Sequence, residues 1–227
     1  FDPAALFDRL PTRELFLALS VAAMVTASLV AVFEQDVKRL FAYSSVAQIG
    51  YITLGIGVDN VDSLTGSIAH LLNHGVTKGA IFALLGGVAL RSAGGAMSVQ
   101  SLAGLGARMP LTALGLVIAG LSLIGVPGTA GFVTKWYLVI GAIDAGLWWV
   151  VAAILASSLI AAVYVWRVVE IAYLRPAPAG GRREEAPLSM LVGALGLVAL
   201  SVYFGLETSF SVGGAREAAE LLLGAQP

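Results

Sequence analysis

The sequence predicts an all-α integral membrane protein of about six transmembrane helices, one of them discontinuous. Three observations carry that prediction. Six apolar stretches are each long enough to cross a hydrocarbon core, which needs ~20 residues per helix. The composition is 58% hydrophobic and 12% charged, with a mean hydropathy of +0.90. Soluble domains average ~45–50% apolar and ~25% charged residues, so this chain has too little polar surface to cover a globule in water. The apolar runs are also continuous rather than alternating in ten-residue segments. Because backbone groups in lipid must pair internally, the runs read as helices and not as strands of a barrel.

The spans follow in order. The first runs from Leu15 to Phe33 and the second from Leu40 to Val58. The third, Leu64 to Leu90, is the one that carries a polar stripe. The fourth begins at Leu111, is interrupted near Pro127 and resumes to Ile143. The fifth, Leu147 to Leu174, opens on Trp148 and Trp149, residues typical of a membrane interface. The sixth runs from Leu188 to Leu206. The tail, Glu207 to Pro227, is polar enough to lie outside the bilayer as a surface helix. The stretch from Ser92 to Pro110 is weakly amphipathic and reads as a short surface helix without chemistry. Residues 1–227 form one transmembrane domain, with no boundary between separate soluble domains.

Loop charge sets the expected orientation. Lys38, Arg39, Arg91, Arg108, Arg175, Arg182 and Arg183 fall on one side, and Arg9, Arg13 and Arg216 on the other. The positive-inside rule places the first group in the cytoplasm and both termini outside, at a cell (inner) membrane. The chain begins Phe1-Asp2-Pro3 with no basic segment ahead of an apolar core. It is therefore expected to lack a signal peptide, and to be the C-terminal part of something longer or one product of a split chain. A net charge of −1 without a basic tract gives no reason to expect a nucleic-acid partner. With no cysteine, disulfides and cysteine-ligated clusters are excluded within the chain.

Cations inside the spans are the strongest functional signal. A charge at mid-membrane costs ~2.5–3.5 kcal/mol on insertion scales and is a functional candidate by default. In span three, His70, His74 and Lys78 stand at i, i+4 and i+8, drifting only ~40° around the helix at ~100° per residue. They form one stripe ~12 Å long at ~1.5 Å per residue, bordered by Ser67 and Asn73. Imidazole titrates near neutrality, and this geometry suits a water-supported proton relay. Its plainer reading is a set of histidines bonded between helices with a snorkelling lysine. In span four, Pro127 removes a backbone donor and Gly125, Gly128 and Gly131 loosen the chain before Lys135. A helix broken at membrane depth commonly lines a transporter's ion site, although a simple proline kink has the same sequence. Arg167 and Glu170, at i and i+3, read as a structural pair, or as an arginine snorkelling among Trp166 and Tyr173. Two histidines on one helix fall short of the about three protein ligands of a zinc site and cannot face each other across a haem. No metal and no cofactor is therefore expected.

These residues resemble a known family. Asp36-Val37-Lys38-Arg39-Leu40-Phe41-Ala42-Tyr43-Ser44-Ser45-Val46-Ala47-Gln48-Ile49-Gly50-Tyr51 is similar to a signature of the antiporter-like membrane subunits. These occur in respiratory complex I, in membrane-bound hydrogenases and in multisubunit sodium/proton antiporters. The stripe His70, His74 and Lys78 resembles the family's central histidine/lysine helix, and the segment from Gly125 to Lys135 its discontinuous helix with a terminal lysine. The segment from Ser45 to Gly57 leans toward the D-type member of the antiporter assemblies. The resemblance implies that residues 15–174 match the second of two inverted five-helix repeats and 188–206 the last helix. The first repeat's glutamate and lysine have no counterpart here.

What the resemblance implies is proton translocation with other membrane subunits as partners, the lipid bilayer as surroundings, and protons and sodium as the candidate transported ions. Protons would enter near Lys38 and Ser44, pass beside His70, His74 and Lys78 with Asn73 and Thr77 in support, and reach Lys135 beside the break at Pro127 and Gly128. Like charge on Lys78 and Lys135 would couple their protonation. Membership of complex I or of a hydrogenase stays open beside the antiporter, as does a non-transporting scaffold whose polar residues only hold helices together.

Overall fold

The chain satisfies its backbone with helices. A computed structural model describes residues 11–91, 97–177 and 183–224, and every regular element among them is helical. Arg9, Arg182, the start of the Ser92–Pro110 stretch and the end of the tail lie outside the described residues. The elements are α1 (Thr12–Phe33), α2 (Val37–Val58), α3 (Val61–Arg91), a 3-10 turn (Val99–Leu102), α4 (Leu105–Arg108) and α5 (Pro110–Ile124). After them come α6 (Ala130–Asp144), α7 (Trp148–Leu174), α8 (Leu188–Leu206) and α9 (Ser209–Leu222). Five of these, α1, α2, α3, α7 and α8, are long and apolar enough to cross a membrane. The fourth expected span is split into α5 and α6. Each has 15 residues, or ~22 Å at ~1.5 Å per residue, short of the ~30 Å core.

Local chemistry sets the helix ends. The Asp36 carboxylate caps α2 by accepting from the amides of Lys38 at 2.8 Å and Arg39 at 3.0 Å, a cap worth about 1 kcal/mol. Helix α2 ends at Asp59 with φ 63°, a left-handed conformation that a short polar side chain tolerates. Gly125 ends α5 in the same region with φ 91°, and exposed Pro127 lies in the turn before α6.

Helix α3, 31 residues long, is the hub, packed against α2, α5, α6, α8 and α9, while α1 pairs with α2 and α7 lies across α1, α5 and α6. The packing is layered. One apolar core gathers Leu40, Phe41, Leu84, Leu85, Tyr164 and Val168. A second gathers Leu17, Met24, Tyr51, Leu54, Leu138 and Ile154. Between them several helices contribute polar side chains: Ser44 and Gln48 from α2, His70, Asn73, Thr77 and Lys78 from α3, Ser122 from α5, Thr134 and Lys135 from α6, all buried. The polar groups therefore lie at mid-height, where lipid cannot solvate them and each must find a protein partner.

Two expectations change. The Ser92–Pro110 stretch is not a surface helix where it is described: Val99, Leu102 and Leu105 are fully buried in the first core. Its backbone pairs with the α1–α2 connection, the Val37 amide donating to the Met97 carbonyl at 2.9 Å and the Val99 amide to the Gln35 carbonyl at 2.7 Å. The Arg167–Glu170 pair does not form. Arg167 donates to the carbonyls of Val32 and Glu34 at 2.8 and 2.9 Å, because a helix C-terminus offers unpaired carbonyls and a negative dipole end. Glu170 pairs with Arg175 at 3.2 Å instead. The tail forms a helix, α9, and the ion pair Arg216–Asp62 at 3.6 Å ties it to the start of α3.

Candidate functional site

Two lysines anchor the polar layer. Lys78 is 7% exposed and Lys135 6%. The Lys78 ammonium donates to the Phe41 carbonyl at 2.6 Å and to the Ser44 hydroxyl, with the rings of Phe41 and Phe82 5.5 and 5.9 Å away. The Lys135 ammonium donates to the carbonyls of Leu123 at 2.9 Å and Ile124 at 3.0 Å and to the Ser158 hydroxyl at 3.1 Å. The Tyr51 ring lies 4.5 Å from it. Every acceptor is neutral, and among the described residues neither lysine has a carboxylate partner. A cation this deep without a counter-charge is poor structural cement, since its burial cost is only partly offset.

The histidines fill the space between. His70 bridges two helices: Nε2 stands 2.9 Å from Gln48 Oε1 on α2, and Nδ1 2.7 Å from the Thr134 hydroxyl on α6. In the tautomer with the proton on Nε2, His70 donates to Gln48 Oε1 and accepts at Nδ1 from Thr134. His74 stacks on His70 with centroids 5.9 Å apart and planes 7° apart. Tyr51 stands on the other side, 5.7 Å from the His70 ring, and its hydroxyl lies 3.3 Å from Ser158 Oγ. Tyr51 thus touches the surroundings of both His70 and Lys135.

A cavity of about 10 Å3 opens among Gln48, His70, Asn73, His74, Thr77 and Ser122, roughly the space of one water. Among the described residues Asn73 Oδ1 and His74 Nδ1 have no hydrogen-bond partner, and their side chains line it. Beside it Thr77, Ser122 and Ser201 form a hydroxyl triangle with edges of 3.1 to 3.3 Å, joining α3, α5 and α8. Ser122 also accepts from the Gly131 amide at 3.2 Å. A Cβ on Gly131 would overlap the Ser122 carbonyl, so glycine is what lets the two half-helices pack this closely.

Of the residues singled out from sequence, Ser44, His70, Asn73, His74, Thr77, Lys78 and Lys135 share this layer. Lys38 is exposed at the start of α2, away from the buried network. Pro127 and Gly128 lie in the turn between α5 and α6, Gly128 with φ 86°. The structure adds Gln48, Tyr51, Thr134, Ser122, Ser158 and Ser201. A signal exists in the sequence for two of them: Gln48 and Tyr51 follow Ser44 at i+4 and i+7, on one face of α2.

Residues 4–161 match the family described as NADH:quinone oxidoreductase/Mrp antiporter, transmembrane. The chain is 43% identical over 209 residues to NADH-quinone oxidoreductase subunit N of Desulforudis audaxviator, covering 86% of this chain and 41% of that protein. It resembles a chain of the Mrp complex from Dietzia sp. DQ12-45-1b with a TM-score of 0.86 at 25% identity, covering 94% of this chain and 48% of that one. An archaeal membrane-bound sulfane sulfur reductase contains a similar chain, with a TM-score of 0.84 at 29% identity and 93% and 42% coverage. The chain spans less than half the length of these relatives.

Proposed function

We propose, because this chain belongs to the NADH:quinone oxidoreductase/Mrp antiporter transmembrane family, that it moves protons through a multi-subunit membrane complex by way of Lys78, His74, His70 and Lys135. The observation that carries this reading is the pair of buried lysines, without a carboxylate partner among the described residues, set in one layer of buried polar side chains. A cationic pair kept for packing alone would be replaced at no loss by apolar side chains of similar size.

The chemistry follows from the partners. Lys78, held by Ser44 and the Phe41 carbonyl, receives a proton from the end of the bundle that carries Lys38. The proton crosses by way of His74 and the small cavity to His70. When Nδ1 of His70 gains a proton, it changes from acceptor to donor toward Thr134. The Thr134 hydroxyl then turns to the Gly131 carbonyl, 3.2 Å away. The hydroxyls of Tyr51 and Ser158 lead on to Lys135. Like charge on the two lysines couples their occupancy. Which end of the bundle faces the cytoplasm is set, on this reading, by the cluster of Lys38, Arg39, Arg91, Arg108, Arg175 and Arg183.

For the setting, the 43% identical relative is part of an NADH-quinone oxidoreductase. This supports a redox-driven complex at least as well as the D-type antiporter member toward which the segment from Ser45 to Gly57 leans. Replacing Lys78 or Lys135 by Met in the assembled complex, reconstituted in vesicles, should remove proton movement without loss of assembly. Wild-type flux in both variants would defeat the relay.

A further inference from the structure

We infer that Tyr164 on α7 is a positioning residue for the release of a proton from Lys78: its hydroxyl stands unpaired beside Ser44 while the lysine is charged, and donates to Ser44 once the lysine is neutral. The inference deepens the proton-relay reading and rests on it.

Tyr164 carries a hydroxyl that the packing does not pair. It is fully buried in the apolar core that holds Phe41, Leu84, Val165 and Val168. Among the described residues its hydroxyl has no hydrogen-bond partner. Buried hydroxyls are nearly always paired, so one that is not calls for an explanation. Tyr51, also fully buried, shows the contrast: its hydroxyl lies 3.3 Å from both the Ile154 carbonyl and Ser158 Oγ. The hydroxyl that Tyr164 faces is Ser44, and Ser44 is the group that accepts from the Lys78 ammonium. Close packing keeps the phenol there. Its chain neighbour Val165 fills the space that a Cβ on Gly120 of α5 would need, with Cγ1 2.7 Å away.

Counting donors explains the missing bond. With Lys78 charged, its ammonium donates to the Phe41 carbonyl and to Ser44, and the Ser44 hydroxyl donates in turn to the Phe41 carbonyl at 2.9 Å. Ser44 then faces the charge with its lone pairs, and a phenol O–H aimed at Ser44 would turn its positive end toward the ammonium. With Lys78 neutral, the amine nitrogen has a lone pair of its own. The Ser44 hydroxyl swings from the carbonyl to that nitrogen, an amine N–H keeps the Phe41 carbonyl, and the Tyr164 hydroxyl donates to Ser44. Each donor then feeds the next in one direction, Tyr164 to Ser44 to Lys78 to Phe41, and bonds in such a chain strengthen one another. The neutral lysine therefore gains support that the charged one lacks. The proton itself leaves toward His74. Tyr164 and Ser44 keep theirs and only turn their O–H bonds.

Few other charges reach this point. His74 lies one turn away on α3 and feels the charge on Lys78. Helix α2 faces Lys78 with Ser44 and the Phe41 carbonyl, neither of which titrates. Tyr164 is what α7 contributes. Lys135 from α6 acts on the histidines. Arg216 of α9 meets α3 at Asp62, ~24 Å along the helix from Lys78 at ~1.5 Å per residue. Among the described residues, α5 and α8 bring no titratable group to Lys78.

The test is proton flux through the full-length complex in vesicles from about pH 5 to about pH 10.5, a range spanning the ordinary titration of imidazole and amine. Lys78 has to empty as well as fill, so flux falls on the acid side, where the lysine keeps its proton. Tyr164→Phe keeps the ring and removes the hydroxyl. The neutral lysine loses its support, the proton leaves only at higher pH, and the acid-side midpoint of flux should rise by about 0.5 to 1 on the pH scale, the worth of one hydrogen bond. In a Ser44→Ala background the same change should add no shift, because Tyr164 acts through Ser44. A ring-fluorinated tyrosine in place of Tyr164, a stronger donor, should move the midpoint the other way, and it carries the test if the phenylalanine variant fails to assemble. A midpoint that Tyr164→Phe leaves in place or lowers, a shift that persists in Ser44→Ala, or a fluorinated variant whose midpoint does not fall would each overturn the inference. Lys78→Met on the same preparations separates the two readings: flux lost there with the Tyr164→Phe midpoint unmoved leaves the relay standing and removes only the role of Tyr164, while flux kept in Lys78→Met removes both.

Discussion

His70 and Thr134, 2.7 Å apart through Nδ1 and Oγ1, join the long unbroken helix α3 to the second half of the broken one. The contact places a group that can gain a proton against a hydroxyl that can either give one to it or take one from it. Replacing Thr134 by Val keeps the shape and removes the hydroxyl. Proton flux should fall about tenfold, the loss of one buried hydrogen bond at a transfer step, while the complex assembles normally. A pH-sensitive dye inside vesicles holding the complex reads the rate.

Replacing Lys78 by Met removes a buried ammonium that faces no carboxylate. Its hydrogen bonds to Phe41 and Ser44 are lost, but so is the burial cost of the charge. The melting temperature of the complex in detergent should therefore change little, corresponding to about 1 kcal/mol or less. A large drop would mean that Lys78 is there to hold helices together.

Gly131→Ala tests the overlap of the half-helices. Its Cβ would run into the Ser122 carbonyl, and backbone cannot step aside as a side chain can. A destabilisation of about 3 kcal/mol is expected from such overpacking. Gly193→Ala, with nothing within 4 Å, is the control and should leave thermal unfolding unchanged.

The broken span is also anchored at its far end. The Glu185 carboxylate accepts from the Leu111 amide at 2.6 Å and from the Thr112 hydroxyl at 2.8 Å, capping α5 across the loop. Glu185→Ala should cost about 1 kcal/mol and raise hydrogen exchange in the first turn of α5 before it does so in α6.

Much of this architecture is legible in the sequence because hydrophobic length and helix breakers are local signals. The spans, the interruption near Pro127 and the i, i+4, i+8 stripe all follow from residues close in the chain. What joins α6 and α7 to that stripe is not legible. Gln48 at least shares a face of α2 with Ser44, but Thr134 and Ser158 are ordinary small side chains, and their role comes from which helix faces which. The same holds for Arg167: its sequence neighbour Glu170 is a plausible partner, but the carbonyls that take its guanidinium belong to a helix more than a hundred residues earlier. The buried turn at Val99–Leu102 reads as surface in the sequence because its apolar residues are too few to signal a core on their own.

The central claim is that Lys78 and Lys135 act in series on one proton path. The most direct measurement is proton flux through the reconstituted complex for Lys78→Met, Lys135→Met and the double variant. Each single change should bring flux down to the vesicle leak, and the double variant should be no lower, because a series path is broken once. A single variant that conducts at the wild-type rate, or partial losses that add in the double variant, would contradict the account.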